Sequence, residues 1–355
     1  YPQLCAICGT INYHKRDVKV DLTGKTALVT GGRIKIGYYV VLSFLRNGAR
    51  VLTTTRFSKD ALDRYQKETD FEFWKDRLEI YQVNFTTYGE VEKFTSDLKE
   101  RGLKIDYLIN NAAQTLYRPF KFYEPLLLKE DLPDPHHLIK NSYSSYLLEG
   151  PSPHLLRDAE EAALAGISFP TAPLLKDVEY SETSEEWEEC FPEGVVDEHD
   201  QPVDLRPSNS WIRTIKDVSI KECVEVMTIN ALVPFYFVQQ LHPLMAKEGD
   251  KFSWVINVSS MEGKFNRQKS IYHPHTNMAK AALNMFTRTS GAELIRKGIV
   301  LCSVDTGWNT VEEPQSYEME SPLDCVDGAA RILDPIYRGL TEPGIFYKDF
   351  VRSEW

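Results

Sequence analysis

The segment KTALVTGGRIKIG, residues 25–37, sets the architecture of the chain. Its first six residues form a short apolar run with β-branched side chains, which predicts a buried strand. The next part, TGGRIKIG at 30–37, is a glycine-rich turn. YYVVLSFLRNG then predicts a helix that ends at Gly48. A glycine-rich turn between a strand and a helix lets backbone approach a phosphate. The helix start adds free N–H groups and positive potential.

Working outward, ARVLTTT (49–55) predicts a second strand, 58–70 a helix, and RLEIYQV (77–83) a third strand. Residues 87–101 predict an amphipathic helix and IDYLIN (105–110) a fourth strand. Such alternation implies right-handed crossovers and a parallel sheet. It stops over 116–215, a stretch rich in Pro and acids that contains PLLLKEDLPDPHHL and a short helix expected at 157–165. A structureless loop of that length would be unusual, so this stretch reads as an inserted subdomain or an elaborated lid. Alternation resumes with a long helix from 217 to about 246, bent or capped at Pro234. It continues with a strand at 252–260, a helix at 276–297, a strand at 298–304, a helix at 322–339 and a strand at 344–349. No internal repeat is visible.

The chain has 355 residues, of which 42% are hydrophobic and 26% charged, enough to bury a full core without staples. No apolar stretch approaches the length of a membrane span. The net charge is −11, and residues 179–200 alone hold ten acids and no Lys or Arg. Such a segment discourages binding to nucleic acid or anionic membrane. It is a solvated loop or a docking surface for a basic partner protein. Six scattered cysteines point to the cytoplasm or another reducing compartment. The first residue is Tyr rather than Met, which leaves upstream targeting information open. Cys5 and Cys8 form a C-x-x-C followed by Gly9, with His14 six residues on. They are half of a zinc site or two ordinary thiols in an N-terminal arm.

Further motifs fall at regular places. Asn110-Asn111-Ala112-Ala113 ends the fourth strand, Asn230 lies in the fifth helix, and VINVSSMEG ends the fifth strand with Ser259 and Ser260. Lys280 opens the sixth helix, and Asp305-Thr306-Gly307-Trp308-Asn309-Thr310 follows the sixth strand. In this order the motifs resemble the short-chain dehydrogenase/reductase family over 22–115 and 217–350. The resemblance implies an α/β fold, a Rossmann-like doubly wound parallel sheet, with a large insertion between the fourth strand and the fifth helix. The expected organisation is an arm at 1–20, a core at 21–115 and 216–350, an insertion at 116–215 and a tail at 351–355.

By resemblance, Thr30, Gly31 and Gly37 belong to a T-G-x-x-x-G-x-G cofactor turn, which also contains Arg33, Lys35 and Ile36. Asn110 steadies the sheet beside the adenosine, with Ala112 next to it. Ser260 bonds the substrate carbonyl, Lys280 contacts the nicotinamide ribose, and Asn230 holds a water of the proton relay. Gly307 and Thr310 embrace the nicotinamide. Three departures retune this pattern: Lys35 replaces a glycine, Asn84 the usual Asp, and Thr306 the usual Pro. Lys35 must avoid positive φ or carry strain. A fourth departure bears on catalysis. Thr276 stands where the family has its acid/base Tyr, and an alkyl hydroxyl is too weak an acid for that role. The neighbouring IYHPHTN offers Tyr272 or His275 as a relocated acid, or else an ordinary surface loop.

The second strand ends TTTR with no acid; Arg56 there, with Arg33 in the glycine-rich turn as a second cation, implies NADP(H) over NAD(H). The expectation is an NADP(H)-dependent oxidoreductase acting on a small-molecule carbonyl or alcohol, with the insertion shaping the pocket. The alternative is a catalytically degenerate relative serving as a nucleotide-binding sensor or scaffold. Resemblance also implies a homo-oligomer, a dimer at least.

Overall fold

The computed structural model describes residues 1–130, 136–142, 188–249, 251–314 and 320–355. The helix expected at 157–165 and the acidic residues 179–187 lie outside the described residues. Elements are numbered among the described residues. The strands are β1 (Thr26–Thr30), β2 (Arg50–Thr55), β3 (Leu78–Gln82), β4 (Tyr107–Asn110), β5 (Ile139–Ser142), β6 (Ser253–Ser259), β7 (Ile299–Asp305), β8 (Ile345–Lys348) and β9 (Val351–Ser353). They form one sheet in the order β5-β3-β2-β1-β4-β6-β7-β8-β9. Every pairing is parallel except the last, β8 with β9. The fold is the doubly wound α/β sheet that the alternation implied.

Helices cover both faces, which explains the unbroken apolar runs of β1 and β7. On one face α2 (Lys35–Arg46) packs Val40, Val41, Phe44 and Leu45 against Ala27 and Val29. Beside it lies α10 (Cys325–Tyr337), with Ile332 and Leu333 buried. Leu28 points the other way, as period two requires, and meets the layer of α5 (Tyr88–Glu100) and α8 (Val233–Met245). There the Phe237 ring stands edge-on to Phe85 at 5.3 Å and to Phe94 at 6.0 Å between ring centres.

The long helix expected from 217 is two helices with a different turn between them. α7 (Ile220–Met227) ends in a π-helical turn, Thr228–Leu232, and α8 follows with Pro234 in its first turn. Proline has no N–H for the helix ladder, so the wider turn ahead of it absorbs the break. Asn230 sits in that turn.

Three regions depart from expectation. The N-terminal arm is a helix, α1 (Ala6–Lys15), docked on α10 through Lys15 to Asp334 and Arg16 to Asp327 at 3.0 Å. The tail at 351–355 contains β9, which gains the ladder hydrogen bonds of β8. The insertion's described flanks belong to the core layers. Residues Phe120–Glu130 form α6, and β5 extends the sheet beside β3. α3 (Ser58–Gln66) starts at Phe57, which cannot cap it, and Glu130 supplies the missing cap from α6. Its carboxylate accepts from the Lys59 N–H at 2.8 Å and the Ser58 hydroxyl at 3.0 Å.

The Phe237→Ala substitution empties the centre of the α5–α8 layer and should cost about 3–5 kcal/mol. A urea titration reads this as an earlier midpoint at unchanged slope. A loss below about 1 kcal/mol would contradict the packing described.

Candidate active site

The strand order reverses between β1 and β4, and a cleft of about 780 Å³ opens at the carboxyl ends of the strands there. Its floor is the glycine-rich turn. Thr30 locks this turn to the neighbouring strand. Its hydroxyl donates to the Ile109 carbonyl at 3.3 Å and accepts from the N–H groups of Asn111 at 3.0 Å and Ala112 at 2.9 Å. The Asn111 amide donates back to the Thr30 and Gly31 carbonyls. Asn110, by contrast, points into the sheet and bonds Asn257 at 2.8 Å.

The turn fits a nucleotide's phosphates. α2 begins after Ile34, which has no capping side chain, so the first N–H groups of the helix face the cleft uncapped. Gly31 has φ +70°, and a side chain on Gly37 would lie 2.2 Å from the Gly31 carbonyl. Lys35, in place of the middle glycine, adopts φ +53°, so the feared strain is present. Its ammonium lies 3.9 Å from Glu312.

The two arginines differ. Arg33 is buried and committed, donating to Asp60 at 2.8 Å and to Gln201 at 2.6 Å. Burial raises the Asp60 pKa, but Arg64 and Arg33 together hold it down at about 2, so Arg33 is neutralised. This corrects the expectation that Arg33 is a second phosphate ligand. Arg56 lies over the Tyr123 ring at 4.5 Å and the Phe57 ring at 5.4 Å. Among the described residues no carboxylate pairs with it.

At the other end of the cleft stand Ser260, Thr276, Lys280, Gly307 and Thr310. Ser259 is structural, its hydroxyl donating to Asn284 at 2.6 Å, whereas no side-chain bond occupies Ser260 among the described residues. Lys280 is buried and donates to the Val258 carbonyl at 2.8 Å. Burial lowers its pKa to about 8, against the pull of Glu262 and Asp305. Gly307, at φ +75°, donates its N–H to Asp305 at 2.8 Å, and Lys348 reaches the same carboxylate at 3.2 Å. Asn84 also lines the cleft.

The relocated acids do not line the cleft. Tyr272 stays on a surface loop, 41% exposed. His275 is buried, and its Nε2 lies 3.2 Å from the Glu222 carboxylate, whose other oxygen accepts from Arg213 at 3.1 Å. Position 275 projects off a different side of its helix, α9 (Pro274–Leu294), from Thr276, so being adjacent in sequence does not place it in the cleft. Asn230 does not line the cleft either. Its amide is spent on the backbone of Gln114, accepting at 2.7 Å and donating at 2.9 Å. It therefore positions the loop after β4.

Sequence reasoning missed the residues that the insertion's flanks bring to the cleft. Tyr123 comes from α6, and Gln201 and Trp211 come from 188–212. None belongs to a motif, so no signal marked them. Cys5 and Cys8 stand at the start of α1, and no group of three or more His, Cys, Asp or Glu able to hold a metal occurs among the described residues. Zinc is unsupported there. No helix among the described residues is long and apolar enough to cross a membrane.

The family model for short chain dehydrogenase matches residues 25–127 and 194–316, so it reaches into both ends of the insertion expected at 116–215 and leaves 128–193 unmatched. The chain belongs to this oxidoreductase family. An uncharacterized protein of Acanthamoeba polyphaga mimivirus is 28% identical over 95% of this chain and 68% of its own length. A short chain dehydrogenase/reductase of Colletotrichum higginsianum is 31% identical over 28% of this chain, which spans 26% of that relative. Two solved structures share the fold. An NADPH-bound carbonyl reductase from chicken fatty liver has a TM-score of 0.59 at 17% identity, covering 97% of this chain and 98% of that one. The RhlG/NADP complex of Pseudomonas aeruginosa has a TM-score of 0.55 at 17% identity, covering 92% and 95%.

Gly37→Ala must push the turn away from Asn111. It should lower the melting temperature by about 4–8 °C, a few kcal/mol at this size. Gly89→Ala, where a Cβ would meet nothing within 4 Å, is the control and should not move it.

Proposed function

We propose that the chain is an NADP(H)-dependent oxidoreductase acting on a carbonyl or alcohol carbon of a small molecule. The observation that carries this reading is one cleft with an uncapped helix N-terminus at one end and uncommitted Ser260 beside buried Lys280 at the other. The uncapped N–H groups of α2 would hold the pyrophosphate. Arg56, held over the Tyr123 ring and with no carboxylate within salt-bridge distance among the described residues, would pair with the 2′-phosphate. Gly31 and Gly307 leave room for close backbone approach. When bound, a nicotinamide supplies or accepts the hydride.

Ser260 would donate to the substrate oxygen and fix the carbonyl plane. Trp211, stacked on His273 at 4.1 Å, walls the substrate end together with Trp308. The insertion's flank thus shapes both ends of the cleft. The NADP and NADPH bound to the two structural neighbours support the same cofactor.

Self-association is part of the proposal. Leu232, Phe235, Met278 and Met285 on α8 and α9 and the turn before α8 are exposed apolar residues, a pattern that favours a covering partner surface.

A calorimetric titration with NADPH, and with NADH as control, tests the reading. NADPH should bind the tighter of the two. Arg56→Ala should weaken NADPH by about 10–100-fold, the worth of one charge-assisted pair, and leave NADH nearly unchanged. No binding of either nucleotide would end the oxidoreductase reading and favour the scaffold, which the missing phenol at position 276 also fits.

A further inference from the structure

Hydride uptake by a carbonyl carbon leaves an alkoxide that needs a proton, and no phenol stands on α9 to give it. Tyr272 and His275 lie outside the cleft. Tyr123 lines it, but at the Arg56 end, stacked on Phe57. The Thr276 hydroxyl is buried without a hydrogen-bond partner among the described residues, and an alkyl hydroxyl is too weak an acid for this step. Glu312 is taken up by Thr115 and Thr310, and Asp305 by Lys348 and the Gly307 N–H.

Lys280 differs from all of these. It lines the cleft one helical turn from Thr276 on the same face. Its ammonium makes one hydrogen bond among the described residues, to the Val258 carbonyl, and so keeps two N–H groups to offer. No carboxylate lies within salt-bridge distance of it among the described residues.

We propose that Lys280 is itself the acid and base of this site, giving its proton to the substrate oxygen in reduction and taking one back in oxidation. This rests on the oxidoreductase reading above. In reduction, the carbon takes up the hydride supplied by the cofactor, and the π pair of C=O moves onto oxygen. That oxygen forms a bond to a proton of Lys280 Nζ. The N–H bond breaks with its pair left on nitrogen, and the neutral amine regains a proton from water.

The charged surroundings suit this role. Glu262 in the turn after β6 and Asp305 at the end of β7 act on Lys280 against its burial. Lys348 of β8 is bonded to Asp305. On α7, Glu222 faces His275 and Arg213, and Glu225 faces Gln114. The result is an ammonium pKa of about 8, close to the working range of a general acid.

The test uses the full chain labelled with 13C at the lysine ε-carbons, with Lys280→Arg to assign the resonance. An NMR titration should place the Lys280 midpoint near 8, and a midpoint above about 10, the ordinary lysine value, would overturn the inference. With NADPH and 2,3-butanedione as probe, reduction should be level below that midpoint and fall about tenfold per pH unit above it. Oxidation of the product alcohol should show the mirror profile. Lys280→Arg keeps the charge but cannot release a proton in this range. It should lose about 100-fold or more in kcat while still binding NADPH in the calorimetric titration. Retention of more than about a tenth of kcat would also overturn the inference. Failure to bind NADPH at all sinks the oxidoreductase reading, whereas binding with an ordinary lysine midpoint sinks this inference alone.

Discussion

The reciprocal bonding of Thr30 and Asn111 is the constraint on which the cleft depends. β1 and β4 are neighbours in the sheet, with β2 on one side of the pair and β6 on the other. Their ends would splay if nothing joined them. One hydroxyl and one amide make five hydrogen bonds across this gap, all to main-chain groups. Buried backbone N–H and C=O groups must find partners, and here side chains supply them where the ladder stops. The glycine-rich turn is thereby pulled against the loop after β4, and Gly31 and Gly37 leave room for that approach. The uncapped start of α2 then has one direction to face.

What was legible in the sequence follows from this geometry. Strands buried on both faces are continuous apolar runs, so β1, β2, β6 and β7 were visible to within a residue or two. Ser260 and Lys280 were named by the family resemblance, and both line the cleft. What was not legible depends on contacts between distant segments. Arg33 reads as a free cation until Gln201, 168 residues away, closes on it. His275 reads as a neighbour of the site until the helical rotation turns it toward Glu222. β5 and β9 are short and exist because a sheet edge was there to pair with, which is a tertiary gain and no local preference. The π-helical turn at Asn230 was half visible, since Pro234 announced a break but not how it would be absorbed.

The insertion changes how the cleft is held rather than which chemistry it offers. Glu130 caps α3 from α6, and Arg64 donates to the His199 and Asp200 carbonyls. Arg33 then ties the same strap to the glycine-rich turn. α3 is therefore clasped from two sides by the two described flanks of the insertion. Part of the acidic run is spent here. The Asp197 carboxylate accepts from the N–H groups of His199 and Gln201, folding the strap rather than waiting for a partner.

Lys35 shows what this arrangement costs and why it can persist. A residue with a Cβ in the left-handed region is disfavoured by about 1 kcal/mol relative to glycine. Such strain survives where the surroundings over-determine the conformation, and it clusters at sites of function. Here the surroundings are the Thr30–Asn111 lock beneath the turn and the loop of Gly307 to Glu312 above it. Glu312 stands 3.9 Å from the Lys35 ammonium and also binds Thr115 and Thr310. A glycine at position 35 would relax the turn but would leave no cation between the cradle and that loop. The strained lysine thus links the floor of the cleft to its roof, so that the phosphate end and the Lys280 end are parts of one braced structure.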